Sequence, residues 1–220
     1  MTTQTMTHWG DIGRPSNPFF LSATAILAIW FAAILTIGGR GLFNTEMGGP
    51  PVNTLLALLG PPLLFLALLQ IKSIRAEVVK LNPVWITAMQ GLRILGGGFL
   101  FVYAFGHLPA LFAYMAGIGD IIVAVLAPVF TAMLAMNRGF LRSKRLQYFH
   151  YLGLLDFVGA VGSGLVVRGT IPLLDNVEST AALGQLPLVL IPCFAVPLWI
   201  CLHIVALAQI SDARKAANEA

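Results

Sequence analysis

The stretch MAGIGDIIVAVLAPVF, residues 115–130, places one carboxylate, Asp120, within an otherwise apolar run. A helix crosses the roughly 30 Å of membrane hydrocarbon with about 20 such residues, at about 1.5 Å of rise each. The chain of 220 residues is 58% hydrophobic and only 10% charged. Soluble domains are roughly 25% charged. The sequence therefore predicts a membrane protein, with Asp120 inside one of its spans.

Working outward from this run, we find six apolar segments long enough to cross a membrane. They are residues 18–38, 53–71, 84–105, 110–136, 146–167 and 187–210. Unbroken apolar runs without period-two alternation exclude a closed β-barrel, so the spans are helices. We predict an all-α protein whose single membrane domain, residues 18–210, is a six-transmembrane-helix bundle. A cytoplasmic segment, 1–17, precedes it and a cytoplasmic tail, 211–220, follows it.

The positions of lysine and arginine predict the orientation, because cytoplasmic loops retain positive charge. With the N-terminus inside, the inner segments hold Arg14, Lys72, Arg75, Lys80, Arg138, Arg142, Lys144, Arg145, Arg214 and Lys215, and the outer loops hold Arg40 and Arg168. We therefore predict that both termini are cytoplasmic and that the protein lies in the inner (plasma) membrane as a multi-pass protein.

The same bias explains the net charge of +4 through contact with anionic lipid. No nucleic-acid partner is needed to account for it. The predicted partners are the lipid bilayer together with another membrane protein or a second copy of the chain.

Three ionisable residues are predicted at one depth in the membrane. With His107 at the apex of a hairpin, Arg93 lies 14 residues before the apex and Asp120 lies 13 after it. Asp156 is ten residues into the fifth span. A lone charge at the bilayer centre costs roughly 2.5–3.5 kcal/mol on insertion scales, and intramembrane charges pair inside the bundle. We predict an ion pair between Arg93 and Asp120, with Asp156 nearby.

The helix faces that carry these residues are rich in glycine and alanine, which let membrane helices approach closely. On the third span, α-helical spacing places Gln90, Arg93 and Gly97 on one face. We predict a buried polar centre that binds a proton or a ligand. Its residues are Gln90, Arg93, Asp120, Asp156 and His203.

An internal similarity connects the fourth and fifth spans. GIGDIIVAV, residues 117–125, matches GLLDFVGAV, residues 153–161, around the two aspartates. The two helices run in opposite directions. The match suggests an inverted repeat around a central site, an arrangement found in many transporters.

His150 and His203 lie on different spans at similar depth in the inner third of the membrane. Two such imidazoles could ligate haem iron axially, or bind a metal ion together with Asp156. Hydrogen bonding to a neighbouring helix is the alternative. The sequence leaves the cofactor unknown.

The chain resembles a family of small uncharacterised bacterial polytopic membrane proteins over residues 84–210. The shared pattern is an arginine before a Leu-Pro turn, a Gly-x-Gly-Asp helix, a Gly-Leu-x-Asp helix and a last span with two prolines and a histidine. The matching positions are Arg93, Leu108, Pro109, Gly117, Gly119, Asp120, Gly153, Asp156, Pro192, Pro197 and His203. Met115 departs from the pattern, because a proline is more common there. The resemblance implies a shared site and no particular activity.

Three classes of function remain open. The first is movement of a proton or small polar solute, with Asp120 and Asp156 as binding groups and Arg93 tuning them. The second is a redox or lipid-modifying protein that binds haem or quinone near His150 and His203. The third is a non-catalytic subunit of a larger complex, in which the charges only specify helix packing. Whether the chain is an enzyme stays open.

Overall fold

The computed structural model of the chain describes residues 15–45, 48–174 and 176–219. Within them, the regular elements are helical and no strand occurs. The α-helices are α1 (Asn17–Gly39), α2 (Val52–Leu68), α3 (Lys72–Val78), α4 (Pro83–Ala88), α5 (Gly98–Ala104), α6 (Ala110–Met136), α7 (Lys144–Val167) and α8 (Val196–Asn218). Met89–Gly97 forms a 3₁₀ helix and Ile191–Ala195 a π-helix. Most of the predicted segment 1–17 lies outside the described residues.

Five helices among the described residues are long and apolar enough to cross a membrane. They are α1, the continuous helix Pro83–Ala104, α6, α7 and the helix Ile191–Asn218. A sixth crossing is counted if α2 and α3, which are bent by 108° relative to each other, form one span. The prediction of an all-helical, multi-pass membrane protein is confirmed at this level, with five spans or six.

The second predicted span, 53–71, ends earlier than expected. Helix α2 stops at Leu68, and α3 turns away from it. The charged residues of α3 explain the turn, since Arg75 pairs with Asp212 at 2.6 Å and Glu77 Oε2 accepts from Ser16 N at 2.6 Å. These side chains hold α3 among the other polar segments at one end of the bundle.

We call that end the terminal end. It comprises residues 15–16, the connections 69–82 and 137–143, and residues 211–219. Hydrogen bonds join these segments, because Ser16 N donates to Glu77 Oε2 at 2.6 Å and Arg214 Nε donates to Arg142 O at 2.9 Å. The helix α8 continues to Asn218, so most of the predicted tail, 211–220, extends the last helix.

The opposite end, here the loop end, comprises the described parts of connections 40–51, 105–109 and 168–190. Arg168 Nη2 donates to Thr45 Oγ1 at 3.0 Å, and Thr170 Oγ1 donates to Gly49 O at 3.0 Å. The two longer connections therefore pack on each other. Gly106, with φ of +76°, lies in the short turn between α5 and α6. Glycine adopts this left-handed backbone conformation without steric cost.

Candidate functional site: a buried arginine shared by two carboxylates

The third span changes its helix type where the site begins. Asn82 accepts a hydrogen bond from Val84 N and starts α4, and the chain then becomes 3₁₀ from Met89 to Gly97. Three residues per turn in this segment place Gln90, Arg93 and Gly96 on one face. All three are buried. The predicted alignment with Gly97 is wrong because it assumed an α-helical period.

Arg93 is fully buried and contacts both aspartates. Its Nε donates to Asp120 Oδ1 at 2.7 Å, and its Nη2 donates to Asp156 Oδ2. Asp120 is 3% exposed, and the side chain of Asp156 is 11% exposed. The predicted pair of Arg93 and Asp120 is therefore present, and the nearby Asp156 shares the same guanidinium.

Residues of α7 and α8 make the other contacts of the guanidinium. Arg93 Nη1 donates to Gly153 O at 3.0 Å and lies 3.2 Å from His203 Nε2. The ring of Phe157 lies under the guanidinium, with 3.9 Å between Cζ and the ring centroid. An arginine side chain offers five N–H donors in a fixed plane, and residues of three other helices, α6, α7 and α8, contact this one.

The contact with Arg93 fixes the protonation of the two buried histidines. Arginine only donates, so His203 Nε2 accepts from it. The proton of His203 is then on Nδ1, which donates to His150 Nδ1 at 2.9 Å. His150 therefore carries its proton on Nε2, and this atom is buried without a hydrogen-bond partner among the described residues.

Three glycines make room for the charged side chains. A Cβ at Gly96 would overlap the carboxylate of Asp120, and one at Gly119 would overlap that of Asp156. A Cβ at Gly153 would overlap the ring of His203 and come within 3.0 Å of Arg93 Nη1. Gly119 of the Gly-x-Gly-Asp pattern and Gly153 of the Gly-Leu-x-Asp pattern therefore have a physical reason, because each admits a polar group from another helix.

Gln90 belongs to the same buried face, but its amide makes no hydrogen bond. The residue has 0% exposure, and neither Nε2 nor Oε1 has a partner among the described residues. Leaving a buried polar group unpaired costs roughly 1–3 kcal/mol. Of the predicted centre, Asp120, Asp156 and His203 therefore all contact Arg93, while Gln90 lies one 3₁₀ turn away.

A cavity of about 100 Å³ extends from the loop end to Asp120. Arg168, Thr45 and Thr180 line it at the loop end, and Asp120 and Phe157 line it at the site. Most of the other lining side chains are apolar. On the terminal side, the site is closed by a core cluster of apolar residues. The cluster comprises Val123, Ala127, Leu134, Leu146, Phe149 and Ile210.

The two histidines do not fit haem. A metal ion between two imidazole nitrogens requires them roughly 4 Å apart, with bonds of about 2.0 Å each, whereas the two Nδ1 atoms are 2.9 Å apart. The second nitrogen of His203 is held by Arg93, and His150 has 0% exposure. Within the described ranges, there is also no group of three His, Cys, Asp or Glu residues that could hold a metal ion.

The family model described as "Domain of unknown function (DUF8737)" matches residues 51–211 of the chain. The chain belongs to this family. The DUF8737 match begins 33 residues before the expected stretch of resemblance, 84–210, and includes α2 and every residue of the Arg93 site. Helix α1 lies outside the DUF8737 match, and only 6% of its most apolar window is buried. No curated protein and no solved structure matches the chain.

Sequence reasoning missed several residues of the site in this DUF8737 protein. Nothing in the sequence indicates that Gly96 and Gly119 make room for carboxylates. Phe157 was not considered, because a lone phenylalanine in an apolar span carries no signal. The contact between His150 and His203 was signalled by their similar depth, although depth alone does not tell whether two rings meet.

Proposed function

We propose that the chain moves a proton or small polar solute across the membrane through the Arg93 centre. One observation supports this proposal above the others: two carboxylates share a single guanidinium, and a cavity from the loop end reaches one of them, Asp120. Two carboxylates and one arginine leave one negative charge unbalanced. A bound proton or cation would balance it.

The two carboxylates have different roles in this proposal. Asp120 is almost fully buried and bonds to Arg93 Nε, so it keeps the arginine in place. Asp156 has the more exposed side chain, so it is the group that binds and releases the proton. Protonation of Asp156 would remove its ionic contact with Arg93 Nη2 and leave Asp120 as the only counter-ion.

The direction of movement follows from the predicted orientation. The terminal end carries most of the basic residues, so it would face the cytoplasm and the loop end would face outward. The conformation described above would then be open to the outside and closed to the cytoplasm. An inverted repeat of α6 and α7, and placement in the inner membrane, remain part of this proposal.

The test is proton uptake into vesicles that contain the purified protein and an internal pH-sensitive dye. Wild-type protein should acidify the vesicles when a membrane potential, negative inside, is imposed. Asp156→Asn should abolish this uptake while the protein stays folded. Asp120→Asn should mainly lower stability, because it leaves Arg93 with one fewer counter-ion. Asp212→Asn, which changes a carboxylate at the terminal end, is the matched control and should behave as wild type.

Wild-type uptake by Asp156→Asn would remove this carboxylate from the mechanism. The non-catalytic subunit would then be the better proposal, with the charges specifying how the helices pack. The apolar walls of the cavity favour a further alternative, a membrane protein that binds a quinone or acts on a lipid. In that case the ligand body would occupy the cavity and a polar group would contact Asp120.

A further inference from the structure

We infer that the cavity binds a small organic cation, a protonated amine with an apolar substituent, which exchanges with the proton of the Arg93 centre. The inference rests on the proposed function and adds the class of solute. Its support comes from the net charge of the site, the unused acceptor oxygen of Asp120 and the chemistry of the cavity walls.

The site has a net charge of −1 when both aspartates are ionised, so one further cation would neutralise it. Arg93 supplies one positive charge and the two aspartates supply two negative charges. His203 adds none in this arrangement, because its Nε2 accepts a hydrogen bond from Arg93 and the ring is therefore neutral. Asp120 lines the floor of the cavity and Arg168 lines its mouth. Behind Asp120, Arg93 contacts Asp156 and His203, and His203 bonds to His150.

Asp120 has an oxygen left for a ligand. Its Oδ1 accepts from Arg93 Nε, whereas its Oδ2 accepts no hydrogen bond from the described residues. The residue is 3% exposed and lines the cavity. An ionised carboxylate has about four acceptor sites, so an ammonium N–H can bond to Asp120 without displacing Arg93.

The walls match an apolar body that carries a positive charge. Four phenylalanines line the cavity, namely Phe43, Phe99, Phe112 and Phe157. The aromatic face attracts cations, and Phe157 already holds a guanidinium at 3.9 Å. A bare metal cation is a poorer match, since Na⁺ or Ca²⁺ needs several oxygen ligands and these walls are mainly hydrocarbon.

The volume limits the size of the ligand. A cavity of roughly 150 Å³ holds a benzene molecule, and this one measures about 100 Å³. A body of the size of a butyl group suits it. Arg168 lies twelve residues after Asp156 on the same chain, a rise of about 18 Å, so its charge acts on the mouth of the cavity and not on the floor.

The experiment compares three probes of equal size and different charge. Binding of n-butylammonium, n-butanol and butyrate to the purified full-length protein is measured by titration calorimetry between pH 6 and pH 8. We expect butylammonium to bind at least tenfold more tightly than the other two. Its affinity should fall as the pH is lowered, by up to tenfold per pH unit, because protons compete for the site. Equal binding of all three, or tighter binding of butyrate, would overturn the inference.

A pair of matched variants on α7 locates the site. Ala160→Leu fills the cavity without changing a charged residue and should weaken butylammonium binding at least tenfold. Val158→Trp adds a similar volume on a face that is 68% exposed and should bind as wild type. Equal loss in both variants, or in neither, would place the cation elsewhere. Thermal unfolding of both variants checks that they are folded.

The result separates the inference from the proposed function. If Asp156→Asn abolishes proton uptake but butylammonium does not bind the wild type, the solute class is wrong and the proton pathway stands. If butylammonium binds as expected but the wild type moves no protons, the cavity is a cation site and the proposed function is wrong.

Discussion

Gly119 lies directly against the carboxylate of Asp156, so that a Cβ at position 119 would occupy the space of Asp156 Oδ1. The two residues belong to neighbouring helices, α6 and α7. The close approach of these helices and the position of the carboxylate beside Arg93 therefore depend on the same missing side chain.

Replacing this glycine should disturb the site, whereas replacing an unobstructed glycine should not. We expect Gly119→Ala to destabilise the protein by about 1–3 kcal/mol, the usual cost of overpacking, and to reduce proton uptake. In contrast, Gly162→Ala on α7 has open space around the new Cβ and should raise stability by up to about 1 kcal/mol through helix propensity. Unfolding in detergent measures the stability of both variants. Similar effects of the two changes would contradict the inference that Gly119 makes room for the carboxylate of Asp156.

Removing the arginine alone should be worse than removing the whole ionic cluster. Arg93→Leu leaves two buried carboxylates without their cation and should cost about 3–5 kcal/mol. The double variant Arg93→Leu/Asp120→Leu should recover only part of this, because Asp156 also contacts Arg93. The triple variant with Asp156→Leu should recover most of it. Stability or expression that falls additively with each change would argue against a shared cluster.

Spectroscopy can test which ring nitrogen of His150 and of His203 carries the proton. Nitrogen NMR of the ¹⁵N-histidine-labelled protein should show His203 protonated on Nδ1 and His150 protonated on Nε2. Both assignments follow from Arg93 acting only as a donor towards His203 Nε2. The variants His150→Phe and His203→Phe assign the two signals. A histidine signal from His203 with its proton on Nε2 would contradict the arrangement.

The buried amide of Gln90 should reduce stability. Its polar atoms have no partner among the described residues, so Gln90→Leu, which keeps a similar size, should raise the free energy of unfolding by about 1–3 kcal/mol. If Gln90 takes part in transport, proton uptake should fall in the same variant. Ile86→Val, a small change at a buried apolar position nearby, serves as the control. Destabilisation by Gln90→Leu would mean that the amide has a partner after all.

The two ends of the bundle should lie on opposite sides of the membrane. Reporter fusions at Lys144, next to the terminal end, and at Glu178, on the loop end, should therefore report opposite compartments, with Lys144 cytoplasmic. A fusion to the C-terminus should agree with Lys144. The same compartment for Lys144 and Glu178 would contradict a membrane-spanning α7.

Counting residues from a hairpin apex was enough to predict that Arg93 meets Asp120. It worked because a helix has a constant rise, and because a short turn ties α5 to α6. The face of the third span was predicted less well, since nothing in the sequence shows that Met89–Gly97 is 3₁₀. Likewise, hydropathy predicted the second span but not the 108° bend after α2, which depends on where the charges of α3 find partners. The contact of His150 with His203 depends on how α7 and α8 pack, and no local pattern encodes that.

The partners of Arg93 are spread along the chain, and this imposes an order on biogenesis. Asp120 is 27 residues further on, Asp156 is 63 and His203 is 110. When the third span leaves the ribosome, its arginine has no counter-ion, at an insertion cost of roughly 2.5–3.5 kcal/mol. Entry of the third and fourth spans together, as a hairpin already joined by Arg93 and Asp120, avoids that cost. The later arrival of α7 and α8 would then lock the hairpin, so that a truncated chain lacking α8 is a natural substrate for membrane quality control.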